Sequence, residues 1–280
     1  MTSPYRLALL TDPPTWCGMA LSGRSLDLLT ALAGSRDARM SDGALIEALW
    51  PDDTPVRPLR ALHVVVSRVR AAVGEGVVER SGDGYRLALP KTDVDVRDLS
   101  DRAERARVCA VAGQWEQVLG LTDSLPQVPA CADADDTLGA GATPVARLRE
   151  RAARQAEEAR RDRGLALEAA GEHERAAALL REASQCDSGD ETVLAALMRA
   201  ESWVRSPAVA LEIYEQYRRR LRERGAVPGP AMRAAHEAVL AAESPVCRGL
   251  EPEPEHFLGR ETDVTGVLKA LSTHRLVTLT

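Results

Sequence analysis

Three features are scarce in this chain of 280 residues: aromatic side chains, clustered cysteines and long apolar runs. Aromatic residues make up 3% of the chain, with one phenylalanine, although 45% of the residues are hydrophobic. The chain can bury sizeable cores, and these must be aliphatic and alanine-rich, which favours closely packed helices. The length allows two domains rather than one.

The five cysteines are odd in number and widely scattered, with no CxxC pair. This spacing indicates neither a zinc site nor a redox motif, and reduced thiols in a cytoplasm explain it. No stretch approaches the ~18 consecutive apolar residues of a membrane span, and no leader resembling a signal peptide stands at the N-terminus. We therefore expect a cytoplasmic protein with no membrane contact, bound metal or cofactor.

The net charge of −6, taken alone, argues against a nucleic-acid partner, but the charge is unevenly distributed. Residues 57–91 hold seven basic and three acidic residues, a net charge of +4, whereas residues 1–56 and 92–280 carry −3 and −7. A basic island of this kind binds phosphate if its side chains share one face. If they do not, it is solvated surface.

The strands, helices and hairpin predicted for the N-terminal 91 residues follow the order of a winged helix-turn-helix. The pattern predicts strands at 5–10 and 15–21, the second with a kink at Gly18 that allows a hairpin, and helices at 24–33, 42–49 and 58–73. Ser22 and Ser41 stand at helix N-cap positions. Strands at 77–80 and 85–89 flank a glycine-containing turn at 81–84. Three helices and a hairpin also occur in unrelated small α+β domains, so a generic domain is the alternative.

The third predicted helix combines an apolar stripe with a basic face. The predicted stripe is Leu59, Leu62, Val66, Val69 and Val73. The opposite face is Arg57, Arg60, Val64, Ser67, Arg68 and Ala71. A recognition helix needs this mixture, because arginine pairs with guanine edges, serine donates to an edge or a phosphate, and a valine methyl meets a thymine methyl.

Three further side chains flank this face. We expect Arg70 to contact phosphate rather than a base. The hairpin from Arg80 to Arg86 could lie along the adjacent minor groove, where arginine is favoured electrostatically. His63 lies between the two faces of the helix, and both a local hydrogen-bonding role and a base-reading role are open for it.

After Lys91 the pattern becomes helical, with helices predicted at 94–112, 114–121 and throughout 144–242. Ala176 and Ala210 occupy corresponding positions 34 residues apart, which is the tetratricopeptide period. Stacked helix pairs of this type bury a continuous core and present a concave surface. An ordinary helical bundle with accidental periodicity is the alternative. Residues 125–143 are predicted to form a mobile loop within this helical region.

The chain ends in a proline-rich, acidic stretch at 245–254, an amphipathic stretch at 264–271 and an apolar strand at 276–280. We therefore predict three parts: a winged helix over 1–91, a helical-repeat domain over 92–244, and a linker with the start of another domain over 245–280.

These residues resemble a known family. Residues 41–89, with SDGALIEALWPDD, RALHVVVSRVRAAVG and VVERSGDGYRLAL, resemble the OmpR/PhoB-like winged helix of the Streptomyces antibiotic regulatory protein family. Residues 93–243, with ETVLAALMRA, ALEIYEQYRRRL and VPGPAMRAAHEAVL, resemble the bacterial transcriptional activator domain that follows it. The tail FLGRETDVTGVLKALSTHRLVTLT resembles the entry to the ATPase domain of the larger members.

The resemblance implies a mainly α protein that activates transcription. Such activators bind direct repeats at promoters, associate head to tail on DNA, and recruit RNA polymerase holoenzyme through its sigma factor, switching on secondary-metabolite genes. The DNA contacts that it implies are Arg57, Arg60, Val64, Ser67, Arg68, Arg70 and Arg80. One departure concerns the wing, where such domains place arginine directly before the glycine and this chain has Ser81, with Arg80 one residue earlier.

Two other functions compete with this prediction. One is a helical-repeat scaffold whose winged helix binds protein rather than DNA, which the aligned Arg60, Ser67 and Arg68 disfavour. The other is an enzyme, such as an ATPase fragment. No GxxxxGK[ST] loop and no catalytic Ser/His/Asp or Cys/His arrangement occur in the sequence, so we expect no catalysis and a chain that stops before the phosphate-binding loop of a longer regulator.

Overall fold

The computed structural model describes residues 3–128, 143–243, 265–266 and 268–269. The predicted strand at 276–280, the linker at 245–254, most of the loop at 125–143 and half of the stretch at 264–271 lie outside these ranges. Met1–Ala241 form one compact unit and Ala242–Thr280 belong to a second. Across the described residues, no helix is both long and apolar enough to cross a membrane.

The N-terminal region contains two small antiparallel sheets around three helices. The first sheet has the order β1-β2-β3, and the second has the order β4-β6-β5. In chain order the elements are β1 (Leu7–Ala8), β2 (Thr15–Trp16), β3 (Met19–Ala20), α1 (Gly23–Gly34), β4 (Arg39–Ser41), α2 (Asp42–Leu49), α3 (Pro58–Val73), β5 (Val78–Ser81) and β6 (Gly84–Leu87). This arrangement is the predicted winged helix.

The sequence predicted the helices of this region better than its strands. The predicted strand at 15–21 is two strands, because Cys17 and Gly18 adopt positive φ values of 47° and 82° and reverse the chain. Strand β4 was not predicted, since Arg39–Ser41 carries no alternating pattern. Ser41 caps α2 as predicted, accepting a hydrogen bond from the Ala44 amide at 3.3 Å. Ser22 is the N-cap residue of α1 as predicted, although its side chain makes no capping hydrogen bond.

The C-terminal part of the compact unit is a stack of helix pairs that begins after a 3₁₀ turn at Lys91–Asp93. The helices are α4 (Asp95–Val111), α5 (Trp115–Thr122), α6 (Pro144–Ala169), α7 (His173–Cys186), α8 (Glu191–Val204), α9 (Pro207–Glu223) and α10 (Pro230–Glu243). Helices α4 and α5, α6 and α7, and α8 and α9 pack as consecutive pairs. Ala176 and Ala210 are fully buried in the second helices of neighbouring pairs, as a 34-residue repeat requires.

Small side chains allow the paired helices to approach closely. Gly164 of α6 faces Leu180 of α7, and a Cβ at residue 164 would lie 3.1 Å from the Leu180 side chain. The buried alanines of the helix pairs suit the same close packing.

One hydrophobic core joins the winged helix to the helix pairs. Leu28, Leu45 and Leu62 of the winged helix belong to the same buried cluster as Leu99 of α4 and Leu148 of α6. The predicted boundary at residues 91 and 92 coincides with the 3₁₀ turn, and apolar packing continues across it. The orientation of the winged helix within the compact unit is therefore set by side-chain packing.

Candidate nucleic-acid interface

Helix α3 is anchored in the winged helix by one apolar stripe. Leu62, Val65, Val66, Val69 and Val73 are buried. The sequence placed Leu59 in this stripe, but its side chain is 54% exposed and Val65 is buried instead. Pro58 stands at the first position of the helix, where its missing N–H costs nothing. Gly74 ends the helix with a φ of +104°.

The opposite side of α3 faces solvent and carries the predicted base-reading residues. Arg60, Val64, Ser67 and Arg68 are all exposed, and Val64 leaves 45% of its surface accessible. Their spacing of four, three and one residues places them on one face of the helix. Guanidinium, hydroxyl and methyl groups are thus presented together, which is the chemistry that reads base edges in a major groove.

Among the described residues, nothing neutralises the arginines of this face. The side chains of Arg57, Arg60 and Arg68 form no ion pair and no hydrogen bond there. Most other arginines of the winged helix do pair: Arg24 with Asp27, Arg39 with Asp83, Arg80 with Asp42, and Arg86 with Glu79. With the apolar stripe buried, the opposite face of α3 therefore carries positive charge that is available for contacts with phosphates and bases.

Arg70 occupies a different position. Its Nε donates a hydrogen bond of 2.8 Å to the Val78 carbonyl of β5, and its guanidinium lies 5.8 Å from the centre of the Tyr85 ring. The side chain is partly buried. Arg70 therefore joins α3 to the β5–β6 hairpin. A phosphate contact would use the other two guanidinium nitrogens, which do not take part in the bond to Val78.

Arg80, the predicted wing contact, is held by neighbours in the winged helix. Its Nη1 donates to Asp42 at 2.8 Å, and its guanidinium lies 4.9 Å from the centre of the Tyr85 ring. The hydrogen bond to Asp42 raises the pKa of Arg80 above its ordinary value. About half of the Arg80 side chain remains exposed. It can reach a phosphate only in competition with the Asp42 carboxylate.

The turn of the wing depends on two glycines. Ser81 pairs with Gly84, so Gly82 and Asp83 form a two-residue turn in which Gly82 has a φ of +58°, as a II′ turn requires. A Cβ at residue 84 would lie 1.9 Å from the Met40 carbonyl of β4. At the tip, Arg39 pairs with Asp83 at 3.1 Å. Sequence reasoning missed Arg39 because β4 itself was missed.

The described ranges offer no competing site for metal chemistry. Within them, no group of three His, Cys, Asp or Glu side chains could hold a metal ion. Cys17, Cys109 and Cys186 are free thiols, and Cys131 and Cys247 lie outside those ranges.

Comparison with known proteins agrees with the winged-helix and helical-repeat architecture. The family model for the bacterial transcriptional activator domain matches residues 94–240. Regulatory protein AfsR of Streptomyces griseus is 30% identical over 137 residues, which cover 44% of this chain and 14% of that protein. Its namesake in Streptomyces coelicolor is 31% identical over 104 residues, which cover 34% and 10%. The matches thus span a small part of the length of these relatives.

A solved structure shows the same fold at greater coverage. Mycobacterium tuberculosis EmbR, in complex with a low-affinity phosphopeptide, superimposes with a TM-score of 0.64 at 22% identity. The alignment covers 95% of this chain and 71% of EmbR. At this identity the likeness establishes the fold alone.

The fold thus defines a protein with an N-terminal winged helix followed by helical repeats. The chain belongs to the bacterial transcriptional activator domain family, and part of it is similar in sequence to the regulatory protein AfsR. This family is one of regulators rather than enzymes.

Proposed function

We propose that the chain activates transcription by binding promoter DNA sequence-specifically through α3. In this proposal α3 lies in the major groove, where Arg68 and Arg60 face base edges, Val64 meets a thymine methyl and Ser67 donates to a base or a phosphate. Arg57 and Arg70 contact the backbone on either side, and Arg80 reaches the adjacent groove from the wing. The observation that carries the proposal is the exposed face of α3, whose three arginines have no partner among the described residues.

The more specific parts of the proposal rest on the resemblance to the family. We propose that the protein binds direct repeats, associates head to tail on them, and recruits RNA polymerase holoenzyme, including its sigma factor. The genes controlled would be those of secondary-metabolite, or antibiotic, biosynthesis, and the site of action would be the cytoplasm. The predicted domains at 1–91 and 92–244 would divide these tasks, with DNA contact in the first and polymerase contact in the second.

The winged helix and the helix pairs share one core, and this supports a division of labour within a single rigid unit. A head-to-tail pair on direct repeats needs each copy to present its helical part in one fixed direction along the duplex. The packing of Leu99 and Leu148 against the winged-helix core provides such a fixed direction.

Binding to DNA is tested by fluorescence anisotropy with a promoter fragment that carries direct repeats and with a scrambled duplex, across a salt series. We expect preference for the direct repeats and a linear fall of log affinity with log salt concentration, at about −0.9 per phosphate contacted. The Arg60→Ala/Arg68→Ala variant should lose the preference. The matched control is Arg219→Ala, which removes an exposed arginine of α9 that is unpaired among the described residues.

Equal affinity for both duplexes at every salt concentration would overturn the proposal. In that case the winged helix would be better explained as a protein-binding module of a helical-repeat scaffold.

A further inference from the structure

A cleft lies between the winged helix and the helix pairs, away from the exposed face of α3. It has a volume of about 500 Å³ and is bounded by α1, β4, α2 and the first turns of α6. Its apolar lining includes Ala31, Met40 and Ala48, and its polar lining includes Thr30 and Arg151. We call this the α1–α6 cleft. Its size lies within the range of small-molecule sites.

The cleft continues past the end of α1. Gly34, Ser35 and Arg151 also line a second space of about 600 Å³, which extends to Arg36 and Arg97. Gly34 lies where the two spaces meet and allows α6 to pack closely against the end of α1. A Cβ at residue 34 would lie 2.8 Å from both the Arg151 guanidinium and the Leu148 side chain. The backbone of α1 and the side chains of α6 therefore meet directly between the two spaces.

Two buried polar atoms of this region have no partner among the described residues. Thr30 lines the cleft while the residue is only 2% exposed, and its buried hydroxyl makes no hydrogen bond within the described residues. The Nε of Arg97 is also buried without an acceptor, and burial lowers the pKa of this guanidinium. Unpartnered buried polar atoms are rare in folded proteins because each costs free energy.

The charges that line the cleft are predominantly positive. Arg147 and Arg151, which line the cleft, and Arg36, which lines the adjoining space, form no ion pair within the part of the chain that the structure describes. The carboxylate of Glu150, which also lines the cleft, is bound by Arg154 of its own helix. In the adjoining space Asp101 is bound by Lys91, and the other carboxylates are those of Asp37 and Glu104.

The dipole of α1 accounts for part of this positive charge, because cations are favoured at the negative, C-terminal end of a helix. It does not account for the buried Thr30 hydroxyl, which lies one turn earlier and has no partner among the described residues. The combination of an apolar lining, a buried donor and unpaired guanidinium groups is typical of a site for a ligand with an apolar body and an anionic head.

We propose that the α1–α6 cleft binds a small amphipathic anion. The apolar body of the ligand lies against Ala31, Met40 and Ala48. Its carboxylate, sulfonate or phosphate group accepts hydrogen bonds from Arg147, Arg151 and the Thr30 hydroxyl. This site is separate from the DNA-reading face, and the inference does not depend on the proposed function.

The test uses the whole chain and a probe of the required chemistry, 8-anilinonaphthalene-1-sulfonate, whose fluorescence rises on binding. We expect saturation at one probe per chain. The Arg147→Met/Arg151→Met variant should bind at least about tenfold more weakly, because it loses charge-assisted hydrogen bonds. Arg160→Met is the matched control, since Arg160 is an exposed arginine of α6 that forms no ion pair among the described residues and does not line the cleft, and this variant should bind the probe normally.

The Thr30→Val variant separates binding from folding. Replacing an unpartnered buried hydroxyl by a methyl group should leave the melting temperature unchanged or higher while the probe binds several-fold more weakly. Decanoate should displace the probe, and decylamine, which has the same apolar length and the opposite charge, should not.

Four outcomes would each overturn the proposal. The first three are equal probe affinity in the wild type and the Arg147→Met/Arg151→Met variant, equal competition by decylamine and decanoate, and binding that does not saturate. Loss of binding in Arg160→Met of the same size would also overturn it, because the effect would then reflect general surface charge.

Discussion

The carboxylate of Asp95 accepts a hydrogen bond of 2.7 Å from the backbone amide of Leu10, which joins the first residue of α4 to the chain just beyond β1. The other carboxylate oxygen accepts bonds from the amides of Leu9 and Val96. On α6, Arg149 donates from its Nε to the Leu9 carbonyl at 3.0 Å. The N-terminal segment is therefore held by both helices, in addition to the shared apolar core.

Asp95 gives the stability of the compact unit a defined pH dependence. Burial raises the pKa of Asp95 above its ordinary value, and the backbone amides of Leu9, Leu10 and Val96 offset this only in part. The folded state thus keeps the proton to higher pH than the unfolded chain, in which the pKa is about 3.9. The contribution of Asp95 is greatest below that value and is lost as the pH rises through the folded pKa.

The Asp95→Asn variant tests this relationship. The asparagine side chain does not titrate in this way. Its NH₂ group would face the N–H of Leu10, and because both groups are donors this lowers the free energy of unfolding by about 1–3 kcal/mol at every pH. We expect the variant to be less stable than the wild type, with a difference in the free energy of unfolding that is larger at pH 4 than at pH 7. Urea unfolding at the two pH values measures it. A difference that is constant, or that grows with pH, would contradict the account.

Gly84→Ala should destabilise the wing more than any other glycine substitution in the winged helix. The added Cβ would lie 1.9 Å from the Met40 carbonyl, and backbone atoms cannot give way as side chains do. We expect a loss of at least about 3 kcal/mol, the upper end of overpacking costs. Gly76→Ala, where nothing lies within 4 Å, is the control and should stay within about 0.5 kcal/mol of the wild type. Similar melting temperatures for both variants would show that β4 does not pack against β6 as described.

Arg68 and Arg70 are neighbours on one helix with different predicted roles. Arg70→Ala removes the bond to the Val78 carbonyl and should lower the free energy of unfolding by about 1–2 kcal/mol. Arg68→Ala removes no hydrogen bond or ion pair with described residues and should change the free energy of unfolding by less than about 0.5 kcal/mol. Chemical denaturation of the two variants decides this. If Arg68→Ala is the more destabilising of the two, the assignment of a free reading face to α3 is wrong.

The Arg80–Asp42 ion pair should control whether Arg80 of the wing contacts a DNA phosphate. Asp42→Asn releases Arg80, which we expect to steepen the salt dependence of DNA affinity by about 0.9, equivalent to one more phosphate contact. The double variant Asp42→Asn/Arg80→Ala should not show this gain. If both variants have the same salt dependence, the effect belongs to the lost negative charge and Arg80 does not touch DNA.

Much of the winged helix could be predicted from the sequence because its signals are local. Helices α2 and α3 begin and end at the predicted residues, since Ser41, Pro58 and Gly74 act through neighbouring backbone groups. The exposure of Arg60, Val64, Ser67 and Arg68 followed from helical periodicity in the same way.

What the sequence did not predict depends on contacts between distant segments. Strand β4 forms because Arg39–Ser41 pairs with β6, more than forty residues further along the chain. The pairing of Arg80 with Asp42 and the bond from Arg70 to Val78 need the folded arrangement of helix and hairpin, which periodicity does not contain. The same limit applies to the α1–α6 cleft, whose walls come from residues over a hundred positions apart.

The most direct test of the account is the role of Arg68 as a reader of one base. A direct-repeat duplex is first selected with the wild-type protein from a random library, and the affinity is then measured for every single base-pair substitution in one half-site. We expect the wild type to lose about 1–3 kcal/mol at the pair that Arg68 reads, and Arg68→Ala to lose discrimination at that pair alone. Equal weakening of Arg68→Ala on all duplexes, or a selection that enriches no sequence, would contradict the claim that α3 reads DNA through this face.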